Sequence, residues 1–225
     1  MEWLGHAKIG FTTSPEPLQF KTKDGEETDL LRIVEKSTPP CRLNPWLFNG
    51  HLQTAMTVLK AEGPVVHYKR KLFDAEDPAY EGNFAVDFIT PPFEGQEEGL
   101  PPRTVYYDKQ ELLELETGSL DSRPMIVALH GLSGGSFEIY LRHVLAPLMA
   151  GGEWEACCIN SRGCAGHKIS SSILYNARAT WDTRQVVKWL RLKYPNRPLF
   201  GIGFSLGANI LTNVRCSSGL MEGFH

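Results

Sequence analysis

An α/β fold with a largely parallel sheet is predicted by three features of the sequence. From Met125 onward, apolar runs suited to buried strands alternate with segments of helical spacing. A Gly-x-Ser-x-Gly turn, Gly203-Phe204-Ser205-Leu206-Gly207, stands between a strand-like run and a helix-like one. Two alternating segments precede this part of the chain. Strands that alternate with helices wind into a parallel sheet with right-handed crossovers.

Taken in order, residues 1 to 40 form an N-terminal extension with a charged stretch from Lys21 to Asp29, and no packing is predicted for it. Asn44 to Thr54 is dense in turn formers and apolar anchors. Val66 to Phe73 and Phe84 to Ile89 alternate, and Phe84, Val86 and Phe88 share one face, which predicts an antiparallel pair opening the sheet. Pro91 to Pro102, with Glu97 and Glu98, reads as a surface loop. Gln110 to Glu116 is short and acidic and supports no assignment. Met125 to Leu129 is a continuous apolar run, as a central parallel strand requires. A helix follows over about Phe137 to Ala150, with Pro147 disturbing its last turn. Trp154 to Ile159 is the next buried strand. Ala177 to Tyr194 is amphipathic, with Val187, Leu190 and Tyr194 inward and Lys188, Arg191 and Lys193 outward. Pro195 to Pro198 stops it, Pro198 to Ile202 forms the strand before the serine, and Ala208 to Leu211 continues as helix.

At 225 residues the chain is long enough for one domain with a substantial core. A composition with 42% apolar and 22% charged residues and a net charge of −3, without a basic cluster, gives no sign of a nucleic-acid partner. No run approaches the roughly 20 apolar residues of a membrane span. Met1 to Lys8 lacks the charged-then-apolar order of a secretory signal. An intracellular protein is expected, cytoplasmic or peripheral to an organelle membrane or lipid droplet. The five cysteines are odd in number and show no zinc-site spacing. Cys157 and Cys158 lie within a strand-like run, where thiols act as small hydrophobes, in keeping with a reducing compartment. Neither a metal nor a cofactor is expected.

A serine flanked by glycines between strand and helix is the nucleophile elbow of an α/β-hydrolase. Side chains at Gly203 and Gly207 would collide in so tight a turn. Such a site needs an oxyanion hole, and His130-Gly131-Leu132-Ser133-Gly134-Gly135-Ser136 follows the Met125 strand as the loop that supplies one donor. The backbone N–H groups of Leu132 and Leu206 are the expected pair, fixed dipoles that stabilise a developing oxyanion more than a ground-state carbonyl. His130 precedes the nucleophile and is expected to order the loop rather than act as base.

Four segments then carry a family resemblance. Asn49-Gly50-His51-Leu52-Gln53-Thr54, the His130 to Ser136 loop, Asn160-Ser161-Arg162-Gly163-Cys164-Ala165, and Gly203 through Leu211 together resemble the AB hydrolase 4 family. Ser172 to Asp182 is similar to its fungal branch, which holds medium-chain fatty acid ethyl ester synthase/esterases and a related monoacylglycerol lipase, so a carboxylesterase, alcohol acyltransferase or monoacylglycerol lipase type is what the resemblance implies. The resemblance covers Pro40 to Asn213. It implies an acyl-enzyme on Ser205, formed from a medium-chain acyl ester or acyl-CoA and discharged to water or a short alcohol. For Asn160, Arg162 and Cys164, lining the pocket and shaping the loop both remain open. His51 and Gln53 are expected to brace their loop, and Trp181 and Asp182 to pack and cap a helix.

The triad order is Ser, then acid, then His, on later strand ends. After Ser205 only Glu222 and His225 are available, too close for three further strands, so neither is assigned and the triad acid and His are expected to be absent from this chain. The expected domains are the extension 1–40, a partial α/β-hydrolase domain 41–213 and an atypical tail 214–225. The tail begins Val214-Arg215, encodable as GTACGT, which would fit reading into a retained intron; a short isoform or a fragment are the other readings. A truncated chain predicts an exposed sheet edge, poor solubility and, as the alternative to an active serine hydrolase, a catalytically inactive form.

Overall fold

A computed structural model describes residues 9–42, 44–59 and 63–217. The chain divides into two compact units, Met1–Ala61 and Glu62–His225.

The first unit holds a short antiparallel hairpin, β1 (Gln19–Lys21) and β2 (Glu27–Asp29), followed by helix α1 (Leu30–Ser37). Asp29 caps α1 by accepting from the Arg32 N–H. Helix α2 (Gly50–Leu59) begins where the sequence shows turn formers. The reason is Asn49, whose side-chain oxygen accepts from the Leu52 N–H at 2.9 Å. Gln53 braces the preceding turn, as expected, by donating its amide to the Leu47 carbonyl at 2.9 Å.

The second unit is built on six strands in the order β5-β3-β4-β7-β6-β8. The alternating segments form β3 (His67–Asp74) and β4 (Asn83–Thr90), antiparallel as expected, with Arg70 opposite Asp87. β5 (Thr104–Tyr106) adds to β3 in parallel. β6 (Met125–Leu129), β7 (Glu155–Asn160) and β8 (Leu199–Gly203) are mutually parallel, with β6 in the middle. β4 joins them antiparallel through β7.

Helices cover both faces. On one, Met125, Val127 and Leu129 of β6 and Phe84, Val86 and Phe88 of β4 pack with α5 (Trp181–Lys193) and α6 (Leu206–Ser217). On the other, Ile126, Ala128, Ala156 and Cys158 pack with Leu141 and Leu145 of α4 (Ile139–Met149). Every β6 residue is buried, which is why its sequence is apolar throughout and not alternating. Pro147 sits within α4, which ends two residues later.

One helix was unassigned and one boundary departs from the expectation. Helix α3 (Lys109–Thr117) fills the acidic stretch left unassigned, held by a complete capping box between Asp108 and Glu111. Helix α5 starts at Trp181 and not Ala177, because the Asn176 carboxamide accepts from the Arg178 N–H and its carbonyl from the Ala179 N–H, folding these residues into a turn.

Candidate active site

The chemistry-bearing turns lie at the carboxyl ends of β6, β7 and β8, the edge where open α/β sheets bind ligands. Ser205 occupies the single turn between β8 and α6, is exposed, and has φ +50. This left-handed conformation in a non-glycine residue is strained, and its flanking glycines make it attainable. A Cβ at Gly203 would lie 2.5 Å from the Ala208 Cα, and one at Gly207 would lie 2.5 Å from the carbonyl oxygens of both Leu129 and His130. The Phe204 N–H donates to the Leu129 carbonyl at 3.0 Å, tying the serine turn to the end of β6. Gly207→Ala is therefore expected to cost about 1–3 kcal/mol through overpacking against backbone. A urea midpoint that does not move would show that the start of α6 can shift freely.

The loop after β6 comes against this turn. A Cβ built on Gly131 would stand 3.5 Å from the Ser205 Cβ. Leu132 is exposed at 71%. Among the described residues, no protein acceptor takes the backbone N–H of Leu132 or of Leu206. The Gly131 N–H, by contrast, is engaged by the Tyr140 hydroxyl at 2.9 Å, and the Tyr140 ring packs on Phe204 with centroids 4.8 Å apart. The sequence reading passed over Tyr140, which sits in the first turn of α4, nine residues after its partner, with no motif to mark it.

His130 is buried with both ring nitrogens occupied. Nε2 accepts from the Ser161 N–H at 3.0 Å, which makes Nδ1 the protonated nitrogen, donating to the Gly131 carbonyl at 2.6 Å. It orders the loop and has no nitrogen free to act as a base. Burial holds its pKa below the ordinary value of about 6.5. His167 behaves likewise, through burial and then the nearby Arg70 and Arg162. Both groups bind a proton more readily unfolded than folded, so their effect is absent above pH about 6.5 and destabilises the fold as pH falls below it. The urea midpoint is expected to drop between pH 7.5 and 5.5, above the range where most carboxylates titrate. A flat midpoint over that interval would contradict the neutral assignments.

The Asn160 to Ala165 turn at the end of β7 is structural in two of its three singled-out residues and protected in the third. Arg162 is 2% exposed and pairs with Asp182 at 2.8 and 2.9 Å, while also donating to the Tyr80 and Glu81 carbonyls. Trp181 stacks on Tyr80 with centroids 4.2 Å apart. Asn160 is fully buried and bonded at both ends of its amide. Burial raises the Cys164 thiol pKa, which leaves it a poor nucleophile at neutral pH.

Beneath the loop lies a buried polar cluster that the sequence reading missed. Arg70 and Asp87 have fully buried side chains and pair bidentately at 2.6 and 2.8 Å. Asp87 also accepts from Ser136 Oγ at 2.5 Å and Asn160 Nδ2 at 2.7 Å. The available signal was an aspartate on the face of β4 opposite its three large apolar residues. Glu222 and His225 lie outside the described residues. Among the described residues, no cluster of His, Cys, Asp and Glu side chains could hold a metal ion, and no helix is long and apolar enough to cross a membrane.

This sheet order, with a strained serine at a strand–helix turn, defines an α/β-hydrolase fold. Residues 124–215 match the family described as alpha/beta hydrolase fold. The chain is similar to a monoacylglycerol lipase of Saccharomyces cerevisiae, 32% identical over 88% of this chain and 49% of the lipase. It is also similar to medium-chain fatty acid ethyl ester synthase/esterase 2 of the same yeast, 30% identical over 87% of this chain and 50% of the relative. A third relative, embryogenesis-associated protein EMB8 of Picea glauca, is 30% identical over 83% of this chain and 36% of its own length. The chain thus spans half or less of the length of these curated relatives.

Proposed function

We propose that the protein is a serine ester hydrolase with alcohol acyltransferase capacity, acting on medium-chain acyl substrates through an acyl-enzyme on Ser205. The observation that carries this reading is the strained Ser205 turn set against the loop bearing the Leu132 N–H. Ser205 Oγ attacks the carbonyl carbon while its proton passes to a general base, the carbonyl electrons move to oxygen, and the Leu132 and Leu206 N–H groups hold the resulting oxyanion. Collapse breaks the bond to the leaving group, which departs as the alcohol, or as the thiol of an acyl-CoA, with that proton; water or a short alcohol, deprotonated by the same base, then takes the acyl group and Ser205 recovers its proton. The reading places the general base and its acid partner on none of the described residues and assigns neither role to Glu222 or His225. It draws its substrate class from the yeast relatives, whose names specify monoacylglycerol and medium-chain ethyl esters. Such substrates fit a protein that visits a membrane or lipid-droplet surface.

The test is labelling with a fluorophosphonate, followed by octanoyl ester turnover in water and in dilute ethanol. Stoichiometric labelling, with octanoate released and ethyl octanoate formed when ethanol is present, is the expected result. A folded protein that takes no label has a non-catalytic role. Labelling with octanoate as the sole product removes the acyltransferase half of the proposal.

A further inference from the structure

We infer that Asp87 is a positioning residue for the oxyanion loop, acting through Ser136 and Asn160 to hold the Leu132 N–H in place; this rests on the serine-hydrolase reading above. The loop from His130 to Ser136 is tied at both ends to two consecutive residues of the β7 end. At its start, His130 Nε2 accepts from the Ser161 N–H. At its finish, the Ser136 N–H donates to Asn160 Oδ1 at 2.9 Å. Leu132 lies between these two anchors, and its own N–H is uncommitted among the described residues.

Asp87 fixes the second anchor. One carboxylate oxygen, Oδ2, takes the Asn160 amide hydrogen at 2.7 Å and the Ser136 hydroxyl at 2.5 Å. The first bond settles which way the Asn160 amide faces, and therefore that its oxygen meets the Ser136 N–H. The second holds the Ser136 side chain to the same point. Tyr68 completes the grip by donating its hydroxyl to the Ser136 carbonyl at 2.9 Å. Arg70 in turn holds the carboxylate through two nitrogens, and its remaining Nη1 donates to the Ala165 carbonyl at 2.8 Å. Every group in this chain of contacts is buried, so water cannot substitute for a lost partner at little cost. An oxyanion donor is effective only if it is already aimed when charge develops. The cluster supplies that rigidity from below the loop, without touching the substrate.

The test uses Ser136→Ala and Asn160→Ala in the full chain, with two independent readouts. The first is amide hydrogen exchange at Gly134, whose N–H donates to the Gly131 carbonyl at 3.2 Å and so closes the turn that carries Leu132, with an α5 amide as internal reference. The second is the rate of fluorophosphonate labelling at Ser205, together with kcat and KM on an octanoyl ester. The expected result for Ser136→Ala is exchange at Gly134 accelerated about tenfold while α5 is unchanged. Labelling and kcat should fall about tenfold with KM within twofold, since an oxyanion contact acts in the transition state. Asn160→Ala should act more strongly in the same direction. Wild-type labelling with a Ser136→Ala variant that labels equally fast and exchanges normally at Gly134 overturns the inference. Absence of labelling in the folded wild type removes the serine-hydrolase reading instead, and exchange at Gly134 then decides the positioning claim by itself. If both variants slow labelling only in proportion to a general rise in exchange across α5, the role is global stability and the inference fails.

Discussion

Replacing Ser205 with alanine is expected to abolish phosphonate labelling and reduce octanoyl ester turnover about a thousandfold or more, leaving the fold intact. The alcohol is the proposed attacking group, and what remains after its loss is binding and oxyanion stabilisation alone. Alanine suits the comparison because residue 205 sits at φ +50, where any residue with a Cβ carries similar strain. Ser205→Gly provides the complement. It removes the same hydroxyl and also the strain, so it is expected to be equally inactive but more stable by about 1 kcal/mol. Melting curves separate the two effects. If Ser205→Gly is no more stable than Ser205→Ala, the turn stores no backbone strain. If Ser205→Ala still labels, the nucleophile is another residue.

Removing either partner of the Arg70–Asp87 pair should give the largest loss of stability of any single change outside the apolar core. Both side chains are fully buried, and deleting one strands the other charge away from water. Such changes cost about 3–5 kcal/mol. Asp87→Ala would also orphan the Ser136 hydroxyl and the Asn160 amide, and Arg70→Ala the Ala165 carbonyl. The informative variant is the double replacement Arg70→Met with Asp87→Leu. A buried ion pair taken out as a unit is often neutral in effect, but here three neighbouring polar groups would remain unpartnered. The double variant is thus expected to recover only part of the loss in a urea titration. Full recovery would show that the pair makes no net contribution through its neighbours.

The contrast between what was legible and what was not follows from the range of the interactions. The serine turn and the His130 loop were readable because their chemistry is local: glycines where a Cβ would strike backbone, next to apolar runs of strand length. The parallel strands and their helices were readable because burial on both faces writes itself into sequence as unbroken apolar runs. Helix α3 was also written there, in the Asp108-x-x-Glu111 box that starts it. Helix α2 was obscured by Gly50 and by an Asn49 that reads equally as turn former and N-cap. The Arg70–Asp87 cluster could not be read from either strand alone. Charges in an alternating strand usually face water, and only the strand register, together with the segments that bring Ser136, Asn160 and Ala165 onto it, makes this pair internal. Tyr140 was invisible for a related reason, since its partner Gly131 is set by the placement of a whole helix.

The distances along the chain within that cluster also impose an order on how the site can be assembled. Arg70 and Asp87 are 17 residues apart and meet within one antiparallel strand pair. Ser136 joins Asp87 across 49 residues, Asn160 across 73, and the Ala165 carbonyl reaches Arg70 across 95. Each later closure carries a larger entropic cost than the one before, though only logarithmically so. During synthesis the strand pair is complete long before its last partner exists. Until residue 165 is in place, a charged pair destined for the interior lacks at least one of its three neighbouring hydrogen-bonding partners. The geometry that aims the oxyanion loop consequently cannot form before β7 and the turn after it exist, and the growing chain must carry an incompletely satisfied ion pair until they do.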